Sequence, residues 1–77
     1  MECYIGTILL FAGKYAPKDF ALCNGDLLEI SKNQALYSVI EKHYGGNNTC
    51  FNLPKLQAPN ENMVYIICTN GLYPVRD

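Results

Sequence analysis

The side chains with most chemical potential in this chain are four cysteines (Cys3, Cys23, Cys50 and Cys68), a single histidine (His43) and seven scattered carboxylates. No two cysteines fall in a CxxC or CxxH spacing. Structural zinc sites and redox motifs usually draw a ligand pair from one tight turn, so no metal centre is expected. The cysteines lie in or beside apolar runs and are read as buried free thiols acting as small hydrophobes. A disulfide framework is disfavoured because the start Met1-Glu2-Cys3-Tyr4 lacks the basic and apolar regions of a secretory signal. His43 falls on the apolar stripe of a predicted helix, with no carboxylate or thiol set beside it by a known motif, and is assigned a structural role. Ser31 and Ser38 lack nucleophile-elbow surroundings, and Glu2, Asp19, Asp26, Glu29, Glu41, Glu61 and Asp77 stand singly, so no acid/base pair emerges. Gly45-Gly46 is not a phosphate loop, because it follows the predicted helix, whereas phosphate sites use a helix beginning. The expectation is a protein that is not an enzyme and takes no cofactor.

Residues suited to contact are easier to find. Six tyrosines and no tryptophan favour half-wet surfaces, where a ring is covered and its hydroxyl bonded. Asn47, Asn48, Asn60, Asn62 and Asn70 gather at turns, where their amides also serve to read a ligand. Arg76 is the sole arginine and suits a bidentate contact to an anion or carboxylate. From these, Tyr44, Asn47, Asn48 and Arg76 are the candidate ligand or partner contacts, lying in or beside exposed loops and the tail.

The elements that position them follow from periodicity and turn chemistry. Residues 31–46 carry the signals of one helix: Ser31 as N-cap with Gln34 completing a capping box, and Leu36, Val39, Ile40 and His43 on one face. Gly45-Gly46 is the expected C-cap. Residues 3–12 read as strand one, ended by a loop through Pro17. Residues 20–23 and 27–30 flank Asn24-Gly25, the dipeptide of a type I′ hairpin. Residues 50–53 form a short strand stopped by Pro54, 55–62 a loop, and 63–69 a central strand turned by Asn70-Gly71. Pro74 confines the tail to an edge. The fold class is therefore α+β: a small antiparallel sheet with a single helix packed on it, forming one domain over residues 1–77.

At 77 residues the chain is near the lower limit for a self-sufficient core, which points toward oligomerisation. A formal net charge of -1 with scattered charges gives no footprint for a nucleic acid polymer. No apolar run approaches the length of a membrane span, so no membrane partner is expected and the chain is read as made in the cytosol.

Taken together, several runs resemble the phage tail collar domain of short tail fibres and the microcystin-dependent protein family. They are Tyr4-Ile-Gly-Thr-Ile-Leu-Leu-Phe-Ala-Gly13, Ala16-Pro-Lys18, Ala21-Leu-Cys-Asn-Gly25, Leu28-Glu-Ile-Ser-Lys-Asn-Gln-Ala-Leu36, Tyr44-Gly-Gly-Asn47 and Phe51-Asn-Leu-Pro54. Tyr65-Ile-Ile-Cys-Thr-Asn-Gly-Leu-Tyr-Pro74 is similar to the family's closing strand and turn. Asp19-Phe20 stands where the family usually has Gly-Trp, and Lys55-Leu-Gln-Ala-Pro59 replaces its usual Asp-Leu-Arg-Gly-Arg. The long receptor-facing region that normally follows has no counterpart between these runs, so the chain resembles a minimal collar without a receptor-binding tip.

The resemblance implies a non-enzymatic structural and interaction module of the virion tail that self-associates, as a trimer, and contacts other tail or fibre proteins. An alternative is a stand-alone phage-encoded protein of the host cytoplasm that binds a small-molecule ligand, sequestering a host signalling molecule such as a nucleotide immune signal.

Overall fold

The computed structural model describes residues 3–74. The strongly apolar run near the C-terminus becomes β5 (Val64–Cys68), the middle strand of a three-stranded antiparallel sheet. Its neighbours are β1 (Ile8–Phe11) and β2 (Phe20–Leu22), in the order β1-β5-β2. The registers set Ile8 opposite Ile67 and Phe11 opposite Val64 on one side, and Phe20 opposite Cys68 and Leu22 opposite Ile66 on the other. Ile66, Ile67 and Cys68 are buried, which is why β5 reads as a continuous apolar run rather than an alternating one.

Asn24-Gly25 does not close a hairpin. β3 (Leu27–Glu29) leaves β2 behind and pairs with β4 (Cys50–Asn52) in a second, two-stranded antiparallel sheet, with Leu28 opposite Phe51. A type I′ turn needs positive φ at both central residues, and here Gly25 has φ +83° whereas Asn24 does not have a positive φ. The dipeptide steers the chain between sheets instead. Asn24 Oδ1 accepts a hydrogen bond from the Asp26 amide at 3.1 Å, and the Gly25 amide donates to the Pro54 carbonyl at 3.2 Å. Local chemistry sets the turn, while the apolar partner available at β5 decides what β2 pairs with.

The helix is shorter than its sequence signals. The chain leaves β3 through a 3-10 turn (Ile30–Lys32) before α1 (Gln34–Ile40) begins. The Ile30 amide is still bonded to the Thr49 carbonyl, at 2.9 Å, so Ser31 lies within the turn and cannot act as N-cap. Asn33 takes that position without a side-chain cap bond, and its amide group donates instead to the Glu29 carbonyl at 2.9 Å. The predicted capping box is thus absent. At the other end Glu41 takes φ +51° and stops the helix one residue after Ile40, so Gly45-Gly46 is not its C-cap. Of the predicted stripe, Leu36 and Ile40 are buried and Val39 is half-buried. His43 falls beyond the helix and is exposed, its Nε2 lying 3.8 Å from Glu41 Oε2.

The core gathers Leu36 and Ile40 of α1, Phe51 and Leu53 around β4, Ile67 of β5, Ile5 and Cys23. Phe51 and Leu36 are fully covered, and the Tyr37 and Phe51 rings meet at 5.4 Å with a tilt of 58°, a favourable edge-on geometry. The single helix thereby packs across both sheets.

Strand one is also shorter than the run 3–12. Gly6, at φ +93°, breaks it, and residues 3–6 turn to meet the tail. The Ile5 amide donates to the Leu72 carbonyl and the Leu72 amide to the Cys3 carbonyl, each at 2.8 Å, with Tyr4 and Leu72 bridged in parallel. This juxtaposition overturns the reading of four free thiols. Cys3 and Cys68 are joined by a disulfide across a sequence separation of 65, and only Cys23 and Cys50 are free. Their spacing gave no hint because the pair comes from opposite ends of the chain. Gly71 makes the approach possible, since a Cβ there would collide with the Cys3 carbonyl oxygen.

A crosslink closing so long a loop typically contributes about 2–4 kcal/mol. Reduction, or the Cys3→Ser change, should lower the thermal midpoint by roughly 10–30 °C for a domain of this size. Scanning calorimetry with and without reductant measures it, and an unchanged midpoint would mean the bridge contributes nothing.

Candidate functional site

Tyr44, Asn47 and Asn48 occupy one exposed loop between α1 and β4, while Arg76 lies outside the described residues. The loop is well braced. Asn47 Oδ1 accepts from the Thr49 amide at 2.9 Å, the Thr49 hydroxyl at 3.2 Å and the Cys50 amide at 2.9 Å. The Asn47 amide donates to the Cys50 carbonyl at 2.9 Å, and the Asn52 amide to the Gly45 carbonyl at 3.0 Å. Gly46, at φ +145°, lies so close to β4 that a Cβ would meet the Cys50 carbonyl oxygen at 2.6 Å. The Gly-Gly pair therefore serves close backbone approach to β4. Tyr44, 49% exposed, and the Asn48 side chain are presented from this platform, and Asn47 organises it. Asn47→Ala should cost about 1 kcal/mol or more by leaving its donors without an intramolecular acceptor, whereas Asn48→Ala should stay within about 0.5 kcal/mol. Urea denaturation of the two variants makes the comparison, and equal losses would contradict this division of roles.

Two concavities lie elsewhere. An apolar groove of about 550 Å³ runs beside β2, lined by Leu22, Cys23, Leu56, Ala58, Met63 and Tyr65 among others. Cys23 is 4% exposed, and burial raises its thiol pKa by disfavouring the thiolate. Since the thiolate is the nucleophile, a raised pKa leaves less of it at a given pH and slows reaction. Near pH 8, iodoacetamide followed by mass spectrometry should label half-buried Cys50 well before Cys23; equal rates would show that burial does not protect the inner thiol.

The second concavity is polar, about 460 Å³, and draws on residues far apart in sequence: Asp19, Lys32, Asn33, Thr69 and Asn70, over buried Ile5 and Leu36. Asp19 takes φ +71°, unusual for a residue with a side chain. Its carbonyl holds that conformation by accepting from the Thr69 amide at 2.9 Å, the Asn70 amide at 3.3 Å and the Thr69 hydroxyl at 3.1 Å. Asn70 Nδ2 lies 3.4 Å from Asp19 Oδ1. Sequence reasoning did not find this cleft, because no local signal links Asp19 to residues some fifty positions away; the aspartate standing where the family usually has glycine was the one available sign.

The sheet edge provides a third feature. All four residues of β1 are exposed, Ile8 at 36%, Leu9 at 37%, Leu10 at 40% and Phe11 at 37%, on a strand paired on only one side within the sheet. Tyr4, a few residues before β1 in the chain, is also exposed. Among the described residues no group of three or more His, Cys, Asp or Glu is placed to hold a metal ion, and no helix is long and apolar enough to cross a membrane.

These features define a small α+β module built from short antiparallel strands, with an apolar edge and a braced polar loop. The phage tail collar domain matches residues 6–59, more than half of the 77-residue chain, and the chain belongs to that family. No curated protein matches it. The family is a domain of phage tails, which suggests a structural tail module.

Proposed function

We propose that the chain is a non-enzymatic module of the virion tail that self-associates through β1 and contacts other tail or fibre proteins. The observation that supports this reading most directly is the exposed, wholly apolar strand Ile8–Phe11 on a sheet edge. Such an edge offers unpaired backbone donors and acceptors together with apolar side chains, and natural proteins normally blunt or cover it. A second copy of the chain covers it by adding to the edge, and the resemblance to collar proteins favours three copies. Tyr44, Asn47 and Asn48 then lie on a separate, rigid polar surface for a tail partner, with Arg76 as a further contact.

Leu10→Lys puts a charge into the middle of the apolar edge. Light scattering on the purified full chain should give an oligomer for the native sequence and a monomer for Leu10→Lys, the variant remaining folded by circular dichroism and melting somewhat lower because association no longer stabilises it. A native chain that is monomeric at micromolar concentration sinks self-association through this strand. Mass spectrometry of purified virions should detect the chain at fibre-like stoichiometry.

A second reading is favoured by the polar cleft: a protein of the host cytoplasm that sequesters a small signalling molecule. It predicts a chain absent from virions and purified with a stoichiometric small molecule. Fibre-like amounts in virions would count against it.

A further inference from the structure

We infer that the cleft between Asp19, Lys32 and the Thr69-Asn70 turn binds a small zwitterion of the amino-acid type, its ammonium group at Asp19 and its carboxylate at Lys32. This rests on the ligand-binding reading of the protein, but it names a different chemical class from a nucleotide.

The cleft, at about 460 Å³, falls within the range of small-molecule sites. Its lining combines one fixed anion, one cation, amide groups and a small aliphatic patch. Asp19 supplies the anion. Its backbone is pinned in the left-handed region by the bonds from Thr69 and Asn70, so its carboxylate projects from a rigid point rather than a mobile loop. Among the described residues that carboxylate meets only the Asn70 amide, at a long 3.4 Å, and has no cationic partner. It therefore retains capacity to accept from an ammonium group.

Lys32 supplies the cation. Its ammonium lies 3.7 Å from Glu29 in an exposed pair, a weak interaction that a carboxylate held in the cleft can displace. Asn33 donates its amide N–H to the Glu29 carbonyl, which leaves its Oδ1 as an acceptor, and the Asn70 Oδ1 is a second. Ala35, which is exposed, and the edge of Ile5 add a small aliphatic patch in front of fully covered Leu36, enough for a short apolar side chain. No aromatic ring lines the cleft, so a nucleobase has nothing to stack on.

A carboxylate and an ammonium among the same lining residues, with a small aliphatic patch, match a molecule that carries both charges and a small hydrocarbon group. A single anion or cation uses only half of these groups. Asn tolerates positive φ better than most residues, so Asp19→Asn removes the charge while keeping the backbone conformation. Lys32 is exposed, so Lys32→Gln is equally mild for the fold.

The test is titration of the full-length, isotope-labelled chain, followed by amide NMR, with leucine, N-acetylleucine, leucinamide and adenosine monophosphate as probes. Leucine should give saturable shifts at Thr69, Asn70, Lys32 and Asn33. N-acetylleucine lacks the ammonium group and leucinamide lacks the carboxylate, so each should bind at least about tenfold more weakly. Asp19→Asn should erase the preference for leucine over N-acetylleucine, and Lys32→Gln the preference over leucinamide, with both spectra otherwise native. Absence of saturable shifts at millimolar leucine overturns the inference, as does equal binding of all three leucine compounds. Binding of adenosine monophosphate without binding of leucine also overturns it, while leaving the sequestering reading intact.

Discussion

The pairing of β5 with strands on both sides is the constraint from which the rest of the structure follows. Residues 64–68 accept β1 along one edge and β2 along the other, and Ile67 joins the helix and the β4 region in one core. β2 is an outer strand of the order β1-β5-β2 and keeps its second edge free, yet β3 pairs with β4, so the protein has two small sheets rather than one. The end of β5 also anchors both termini of the described fold: Gly6 and Thr7 exchange backbone bonds with Cys68, and the Cys3–Cys68 disulfide fixes the same junction covalently. A domain this small has little apolar area to offset chain entropy, and a crosslink spanning most of its length addresses that deficit.

The same strand end creates the polar cleft. Thr69 and Asn70, immediately after β5, donate to the Asp19 carbonyl and hold that residue in a backbone conformation it would not choose alone. Lys32 and Asn33 arrive from the other direction, because the chain needs a 3-10 turn to pass from β3 into α1. The cleft is thus a by-product of two local compromises, a strained aspartate and an irregular helix start. The contact loop has a different origin. It depends on Gly46 lying against β4 and on Asn47 satisfying the amides of Thr49 and Cys50.

Membership of the tail collar family gives these surfaces a biological setting in phage tails. The apolar edge at β1, the braced loop and the cleft are built from different residues. The link between β4 and β5 runs over residues 53–63 and carries the turn at Asn60, whose side chain accepts from the Asn62 amide at 2.9 Å.

The sequence by itself determined the class and most of the elements. The apolar run at 63–69, the stop at Pro54 and the exposed Gly-Gly-Asn-Asn loop are properties of neighbouring residues, and each appears as read, as do the buried Leu36 and Ile40. The collar-like runs were legible too, because they are contiguous. Only the tertiary structure decided which strand each strand pairs with, where the helix starts and stops, that Cys3 meets Cys68, and that Asp19 shares a cleft with Lys32 and Asn70. The reason is physical. Capping and turn signals act over a few residues, and here they were overruled by pairing beyond that window, with Thr49 holding Ile30, β5 claiming β2, and the nearby β4 drawing in Gly46.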